Sequence, residues 1–595
     1  MNFRRLFDIF PYQQVKFLQK RALSGKQGLK WKNYSTAACI QAINRVSAGL
    51  LGLGLKRGDK VAIMTAIGSP EWNFLDFGLQ QIGVIVIPIH ATISSKHLAF
   101  IINDAQVSYC IVGEQAQYDL LAPFRNQLLS LKGIYSFQKI ADVPSFDKLL
   151  KEPNDQHLET IEGLKAAIHE DDLVTIIYTS GTTGQPKGVM LSHKNIVSNI
   201  KSIIPLIPIN CDKIALSFLP LSHIFERMVT YTYIAVGTSV YYAPQIDQFL
   251  DALKEVRPHY FTAVPRLLEK MYDGIQADVA NRPVLVQRIF QWCIALGERY
   301  EGKNKMAFDY WLKLKLADLL VFWRWRRALG GRIEGIVVGA AALQAKLGRL
   351  FSAAGLEIRE GYGLTETAPV IAFNRFEPGG VRFGTVGIPV PGVSLKIQES
   401  EKGRAEGEIL VKGPNVMLGY FNQETLTQKV IDEQGWFHTG DVGKIVHKRF
   451  LQITDRKKDI FKTSRGKYIA PQPIENQLRN LRYIEDCVIV GFNRPFITAL
   501  IYPSYFHLER WCIENKVHWT SPQFMVINPK VLKLMEQLIE KINQQLDSNE
   551  QIRGFHLLYE PWSVSSGELT PTFKPRRPFI EEKYQKAIEA MYTKS

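Results

Sequence analysis

The feature that most constrains this 595-residue chain is the run Tyr178-Thr-Ser-Gly-Thr-Thr-Gly-Gln-Pro-Lys-Gly188, which places three glycines, four Ser or Thr residues and one lysine in eleven positions. Glycines let a backbone turn sharply and bring its N–H groups close to an anion. Thr179, Ser180, Thr182 and Thr183 add hydroxyl donors and Lys187 adds a positive charge, so the run is built to hold phosphate. It is not the P-loop of Walker-type ATPases, because Pro186 precedes the lysine and Gly188 follows it. The apolar run Asp172-Leu-Val-Thr-Ile-Ile-Tyr178 predicts a buried strand before the loop, and Ser192-His-Lys-Asn-Ile-Val-Ser-Asn predicts a helix start after it. A loop joining strand to helix is therefore expected, a context that a flexible Gly/Thr linker does not need.

The same alternation recurs along the chain. Lys60-Val-Ala-Ile-Met64, the helical Glu71–Gln80 and Gly83-Val-Ile-Val-Ile-Pro88 read as strand, helix and strand, and their nearly continuous apolar runs suit parallel strands covered on both faces. Gly52-Leu-Gly-Leu-Lys-Arg-Gly58 has the wrong spacing for a dinucleotide loop and precedes a strand, so it reads as a turn. A second α/β stretch is expected over about 215–371. A strand-rich part with turns at Glu377-Pro-Gly-Gly380, Pro391-Gly392, Lys402-Gly403 and Glu433-Gln-Gly435 follows it. The expected fold class is α/β, with a large N-terminal domain of several subdomains over 1–454 and a small, mobile α+β C-terminal domain over 455–595.

At this length, with 46% hydrophobic residues, the chain can bury a large core and exceeds one compact unit. Its net charge of +16 favours polyanionic ligands or an acidic membrane surface, and no motif for nucleic acid is present. The six cysteines, Cys39, Cys110, Cys211, Cys293, Cys487 and Cys512, lack metal-ligand spacing and read as thiols in a reducing compartment. Met1-Asn-Phe-Arg-Arg is followed by Asp8 and Pro11 rather than by a sustained apolar region, which argues against a signal peptide. No apolar run reaches the roughly 18 to 20 residues of a spanning helix. A cytoplasmic protein is expected, soluble or peripheral to an anionic membrane.

With Gly361-Tyr-Gly-Leu-Thr-Glu-Thr367, His438-Thr-Gly-Asp441 and Leu569-Thr-Pro-Thr-Phe-Lys574, the phosphate loop resembles the signature set of the AMP-forming adenylate synthetases. The motifs run in that family's order from Trp31-Lys-Asn-Tyr-Ser35 onward, and the family comprises acyl-CoA synthetases, luciferases and nonribosomal adenylation domains. The resemblance implies ATP, Mg2+ and CoA as ligands. It implies that Thr179, Ser180, Gly181, Thr182, Thr183, Gly184 and Lys187 hold phosphate, that Tyr362 stacks on adenine beside Gly363, and that Thr365 contacts the α-phosphate. By the same resemblance Glu366 ligates Mg2+ with help from Thr182, Asp441 accepts hydrogen bonds from the ribose hydroxyls, and Arg456 touches the nucleotide. Gly339 opens the adenine-side turn, although Gly339-Ala-Ala-Ala342 stands where relatives more often have Gly-Gly-Ala-Pro. Lys574 corresponds to the catalytic lysine of adenylation, Lys458 to the hinge, and Ser464, Arg465 and Gly466 to the loop facing CoA. Arg465 departs from the glycine of many relatives.

Leu219-Pro-Leu-Ser-His-Ile-Phe-Glu-Arg227 is similar to the acyl-site motif of the long-chain fatty acyl-CoA synthetases, with His223 near the carboxylate and a long-chain fatty acid as the implied substrate. Some bacterial relatives close the acyl tunnel with a tryptophan where Arg227 stands, so no gate is assigned. Alternatives at this level are a fatty acyl-AMP ligase loading a carrier protein and an inactive lipid-binding homologue. A helical insertion is expected over about 281–330. Within it Trp311–Arg327 mixes aromatic and basic residues; Asp309, Lys313, Arg324 and Arg327 share a helical face, while Lys315, Asp318 and Arg326 fall elsewhere. That imperfect pattern favours an internal packing helix over a membrane anchor.

Overall fold

A computed structural model of the chain describes all residues except 181–184, 246–247, 303–305, 400–405, 458, 466, 564–565, 570–574 and 594–595. Near its start, Ser69 accepts a hydrogen bond from the Trp72 N–H at 3.1 Å and Pro70 occupies the first turn, so the predicted helix forms over Pro70–Gln80. It connects the apolar strands Lys60–Thr65 and Ile85–His90, which pair in parallel as their continuous burial requires.

These strands belong to a seven-stranded sheet in the order Gly419–Tyr420, Pro186–Ser192, Leu173–Ser180, Ile85–His90, Lys60–Thr65, Tyr109–Val112 and Gly133–Ser136. All its pairings are parallel except the two made by Pro186–Ser192. A nine-stranded sheet has a parallel centre from Glu357–Gly363 through Gly335–Val338, Tyr260–Ala263, Ile214–Ser217 and Ser239–Tyr242 to Leu23–Gln27. Helices Pro70–Gln80, His193–Ile203 and Ile224–Ala235 contribute to one apolar core through Phe77, Ile200 and Met228. The insertion is helical as expected, with helices Val284–Gly297 and Phe308–Ala317, a π-helical turn Asp318–Phe322 and a last helix Trp323–Ala328.

The described residues group into two compact units: 1–396, 410–438 and 446–451 form the larger, and 397–409, 439–445 and 452–595 the smaller. The smaller contains the three-stranded sheet Ile484–Val490, Ile497–Pro503 and Ile552–Leu557, with helices Pro471–Arg479 and Pro529–Asn543 packed into its apolar core. The fold is thus mixed α/β, with parallel sheets in the larger unit.

Candidate active site

The phosphate loop sits differently from expectation. Pro186–Ser192 is a strand pairing antiparallel with Leu173–Ser180, so the loop closes a hairpin rather than joining strand to helix. Helix formation waits until Ser192, whose hydroxyl accepts from the Asn195 N–H at 3.2 Å while the Asn195 side chain accepts from the Ser192 N–H at 2.8 Å. Of the residues before this cap, Val189 and Met190 pair with a strand on each side and Leu191 with one, and that pairing takes precedence over helix. Gly188 is required here: a Cβ on it would lie 2.8 Å from Ile176 and 3.1 Å from the Tyr178 ring. Gly181, Thr182, Thr183 and Gly184 lie outside the described residues, while Thr179 stands opposite Lys187 and Ser180 opposite Pro186.

On the same sheet, Tyr420 pairs with Val189, two residues from Lys187, and side chains two apart share a face. The Lys187 ammonium accordingly lies 5.4 Å from the centroid of the Tyr420 ring. The Tyr420 hydroxyl donates to Glu366 Oε1 at 2.9 Å, linking two residues expected to act together. Burial, and then the charge of Glu366, push the Tyr420 phenol well above its ordinary pKa, so it remains a donor. Tyr420 was absent from the sequence motifs; it is 54 residues from Glu366 and belongs to a strand of two residues, leaving no local signal.

Glu366 occupies the short 3-10 turn Thr365–Thr367, which follows the strand Glu357–Gly363. Gly363 brings two backbones together: its added Cβ would be 1.9 Å from the Pro369 carbonyl oxygen. Buried asparagines tie down what surrounds this turn. The Asn199 side chain donates to Val370 O at 2.8 Å and accepts from its N–H at 3.0 Å, Asn415 donates to Thr367 O at 2.9 Å, and the Met417 N–H donates to Glu366 O at 2.8 Å. Tyr362, expected to stack on adenine, is 8% exposed. Gly339 follows the strand Gly335–Val338, and Ala340 beside it has φ +70°, the left-handed region that suits the glycine of relatives better. Glu360, buried one position before the Gly361 motif, accepts from the Leu343 N–H, while burial pushes its carboxyl up to about 8.

His223 is the N-cap of the helix Ile224–Ala235 and is half-buried, its Nδ1 accepting from the Phe225 N–H at 3.3 Å. The next turn contains two buried ionisable groups. Glu226 accepts from Ser217 at 2.5 Å and from Thr262, and burial pushes it up to about 7. Arg227 pairs with Asp76 at 2.5 Å and donates to Tyr231 at 2.8 Å and to Thr175 at 2.9 Å, while Tyr231 also donates to Asp76. The position where some relatives have a tryptophan gate is therefore a fully buried ion pair.

In the smaller unit, Asp441 is buried, its N–H donates to the Thr439 hydroxyl at 3.1 Å, and Arg456 Nε lies 3.2 Å from its carboxylate. Two residues expected at the nucleotide are thus ion-paired with each other. Neighbouring Asp455 is buried and pushed up to about 7, chiefly by desolvation. Ser464 and Arg465 are exposed, and the Ser464 N–H donates to Arg494 O at 2.9 Å. Lys458, Gly466 and Lys574 lie outside the described residues. Among the described residues no cluster of three or more His, Cys, Asp or Glu side chains could hold a metal. A single carboxylate such as Glu366 still fits magnesium, which keeps its waters and binds through one or two carboxylates plus phosphates.

A family profile described as AMP-binding enzyme matches residues 10–421, and one described as AMP-binding enzyme C-terminal domain matches 458–595. The chain belongs to the AMP-binding enzymes. The long-chain-fatty-acid–CoA ligase FadD15 of Mycobacterium bovis is 33% identical over 94% of this chain and 93% of its own length. The peroxisomal long chain acyl-CoA synthetase 6 of Arabidopsis thaliana is 31% identical over 98% of this chain and 85% of its own length. The adenylation domain of a carboxylic acid reductase from Segniliparus rugosus, solved with AMP and a co-purified carboxylic acid, superposes with a TM-score of 0.74 at 18% identity. That match covers 99% of this chain and 94% of the other, and establishes a shared fold. Among the described residues no helix is long and apolar enough to cross a membrane.

Proposed function

We propose that the chain is an ATP-dependent long-chain fatty acid:CoA ligase, working through an acyl-adenylate, with 1–454 and 455–595 as its two working domains. The observation that supports adenylation most directly is the Tyr420 hydroxyl donating to Glu366 while its ring lies under Lys187, since one phenol then brings a carboxylate and an ammonium from different elements together. The long-chain substrate is supported by relatives at about 30% identity that bear that name along nearly their whole length.

In the first half-reaction a fatty carboxylate oxygen attacks the α-phosphorus of ATP, the bond to the bridging oxygen breaks and pyrophosphate leaves. The site has to neutralise charge on the phosphates and on the attacking oxygen. Lys187, Thr179 and the loop 180–184 would hold the leaving phosphates, Thr365 the α-phosphate, and Lys574 would lie between the carboxylate and phosphorus. Glu366, with Thr182, would hold Mg2+, which supplies positive charge to the phosphate oxygens. Tyr362, Gly363 and Gly339 would form the adenine pocket, and Asp441 and Arg456 would bind ribose and nucleotide. His223 would orient the fatty carboxylate. In the second half-reaction the CoA sulfur attacks the acyl carbon, the bond to AMP breaks, and the thiol proton passes to solvent. Lys458 would be the hinge, and Ser464, Arg465 and Gly466 would face the incoming thiol. Peripheral contact with an anionic membrane belongs to the same reading.

The test is a pyrophosphate-release screen over acids of increasing length, with and without CoA and with a carrier protein as the other acceptor. Release that grows with chain length, together with a CoA thioester product, is expected. Each buried methylene contributes about 0.8 kcal/mol, so long chains should far outrun acetate. Carrier-only product would assign an acyl-AMP ligase, and no release with any acid would assign a non-catalytic lipid-binding protein.

A further inference from the structure

The insertion helices have apolar residues on two faces, and only one is covered. Ala317, Phe322 and Trp325 are buried in the core of the nine-stranded sheet's layer, together with Phe290 of the preceding helix. Tyr310 ties the pair further, donating to Leu296 O at 2.8 Å. This inner face meets the packing expectation. On the outer side Phe308, Trp311, Leu312, Leu316, Leu319 and Trp323 are all exposed, Phe308 at 78% and Leu319 at 71%. Apart from the adjacent Trp311 and Leu312, successive members are three or four residues apart, which gathers them along the outer side, and Phe308 stacks on Trp311 at 5.9 Å. An exposed apolar stripe of this extent marks a surface that meets a protein or a lipid.

Charge decides between those occupants. The segment 282–327 contains ten Lys or Arg against four Asp or Glu, a concentrated share of the chain's +16. Arg326 and Asp318 neutralise one another at 2.5 Å toward the protein side. Lys315 and Arg324 instead flank the stripe, with the Lys315 ammonium 5.8 Å from the Trp311 ring and the Arg324 guanidinium 5.3 Å from the Trp323 ring. Indole rings and leucines bordered by long basic side chains are the composition of a helix lying in a bilayer interface, apolar face down and cations at headgroup level. A second copy of this chain would present the same positive charge and repel.

We propose that the outer face of the helices Phe308–Ala328 is a docking surface for an anionic lipid bilayer, on which the helices lie flat. This deepens the membrane contact of the proposed function by naming the surface that makes it, and the surface and the ligase reading are tested by separate measurements. The full chain is floated with vesicles of phosphatidylcholine alone and of phosphatidylcholine mixed with phosphatidylglycerol, at low and high salt. Binding is expected to the anionic vesicles and to weaken with salt. The double variant Leu312→Asp/Leu319→Asp should lose about tenfold or more in vesicle affinity. Lys315→Glu/Arg324→Glu should lose only the preference for anionic lipid. Pyrophosphate exchange with a short, water-soluble acid should be unchanged in both, because none of these residues belongs to the proposed site, and this also reports that the variants fold. Brominated lipids should quench parental tryptophan fluorescence, and Trp311→Phe/Trp323→Phe should abolish that quenching. Parental failure to float, or equal flotation of the Asp variant, would overturn the proposal. So would self-association in gel filtration that the Asp variant abolishes while vesicles are ignored, which would assign the face to a second copy.

Discussion

Tyr420→Phe isolates the hydroxyl that joins the two halves of the proposed adenylation cluster. The ring of Tyr420 is 7% exposed, and phenylalanine keeps its packing and its place under Lys187; only the donor to Glu366, at 2.9 Å, is removed. A hydrogen bond to a charged group contributes about 1.5 to 3 kcal/mol, which corresponds to roughly ten- to 150-fold in an equilibrium or rate. Loss of an outer partner of a metal ligand typically costs about ten- to a hundredfold. The two ranges overlap near tenfold to a hundredfold, and that is the expected fall in ATP–pyrophosphate exchange. Because Glu366 is partly exposed, water can replace the lost donor, so the folding change should stay near or below about 1 kcal/mol. If the hydroxyl aims the carboxylate at magnesium, the variant should also need more Mg2+ for half-maximal exchange and should bind Mn2+–ATP more weakly by titration. Exchange at the parental rate with an unchanged Mg2+ requirement, or a loss explained wholly by unfolding, would refute this role.

Four further outcomes are expected, three from the geometry and one from the proposed role of Lys574. Ala340→Gly relieves a left-handed φ that costs roughly 1 to 2 kcal/mol, against about 0.4 to 1 kcal/mol of added chain entropy, so the denaturation midpoint should rise slightly; a fall would show that the turn is unstrained. Glu360 has a folded pKa of about 8 against an ordinary 4.5, so its stability contribution is full below about 4.5 and is lost as pH rises through about 8. Glu360→Gln should therefore gain on the parent by up to ~1.4 kcal/mol per pH unit across that window, and denaturant titrations with parallel pH profiles would defeat the assignment. Arg227→Met leaves Asp76 buried without its cation and should cost about 3 to 5 kcal/mol, with partial recovery in Asp76→Leu/Arg227→Met; additive losses in the double variant would contradict the pairing. Lys574→Ala should lower adenylation roughly a hundred- to thousandfold yet retain thioester formation from supplied acyl-adenylate, and equal loss of both steps would oppose the proposed division of labour.

Much of the architecture is legible in particular residues. The unbroken apolar runs at Lys60–Met64 and Gly83–Pro88 allowed little but parallel strands, and these pair as expected. The hairpin was not legible, because Ser192-His-Lys-Asn195 signals a helix start equally well whether or not a strand precedes it. What decides is pairing with Leu173–Ser180 and with Gly419–Tyr420, and the second of those partners is more than two hundred residues downstream. The same limit hid the roles of Arg227 and Tyr420: their partners Asp76 and Glu366 are 151 and 54 residues away. In the insertion, spacing could locate a helix but could not tell an apolar face that is covered from one that is bare, since both are written in the same residues.

The interior position of the strand Pro186–Ser192 limits how this protein can change length. Its backbone over Gly188–Met190 is engaged by a neighbour on each side, and Thr179, Lys187, Val189 and Tyr420 lie on one face by register. Adding or removing a single residue between Gly188 and Leu191 would turn everything on one side of the change to the opposite face. Lys187 would then point away from Tyr420 even though every motif letter was preserved. Length variation among descendants of this chain should therefore stay out of Pro186–Ser192, and a tag or loop graft belongs outside both that strand and the proposed phosphate-holding run before it.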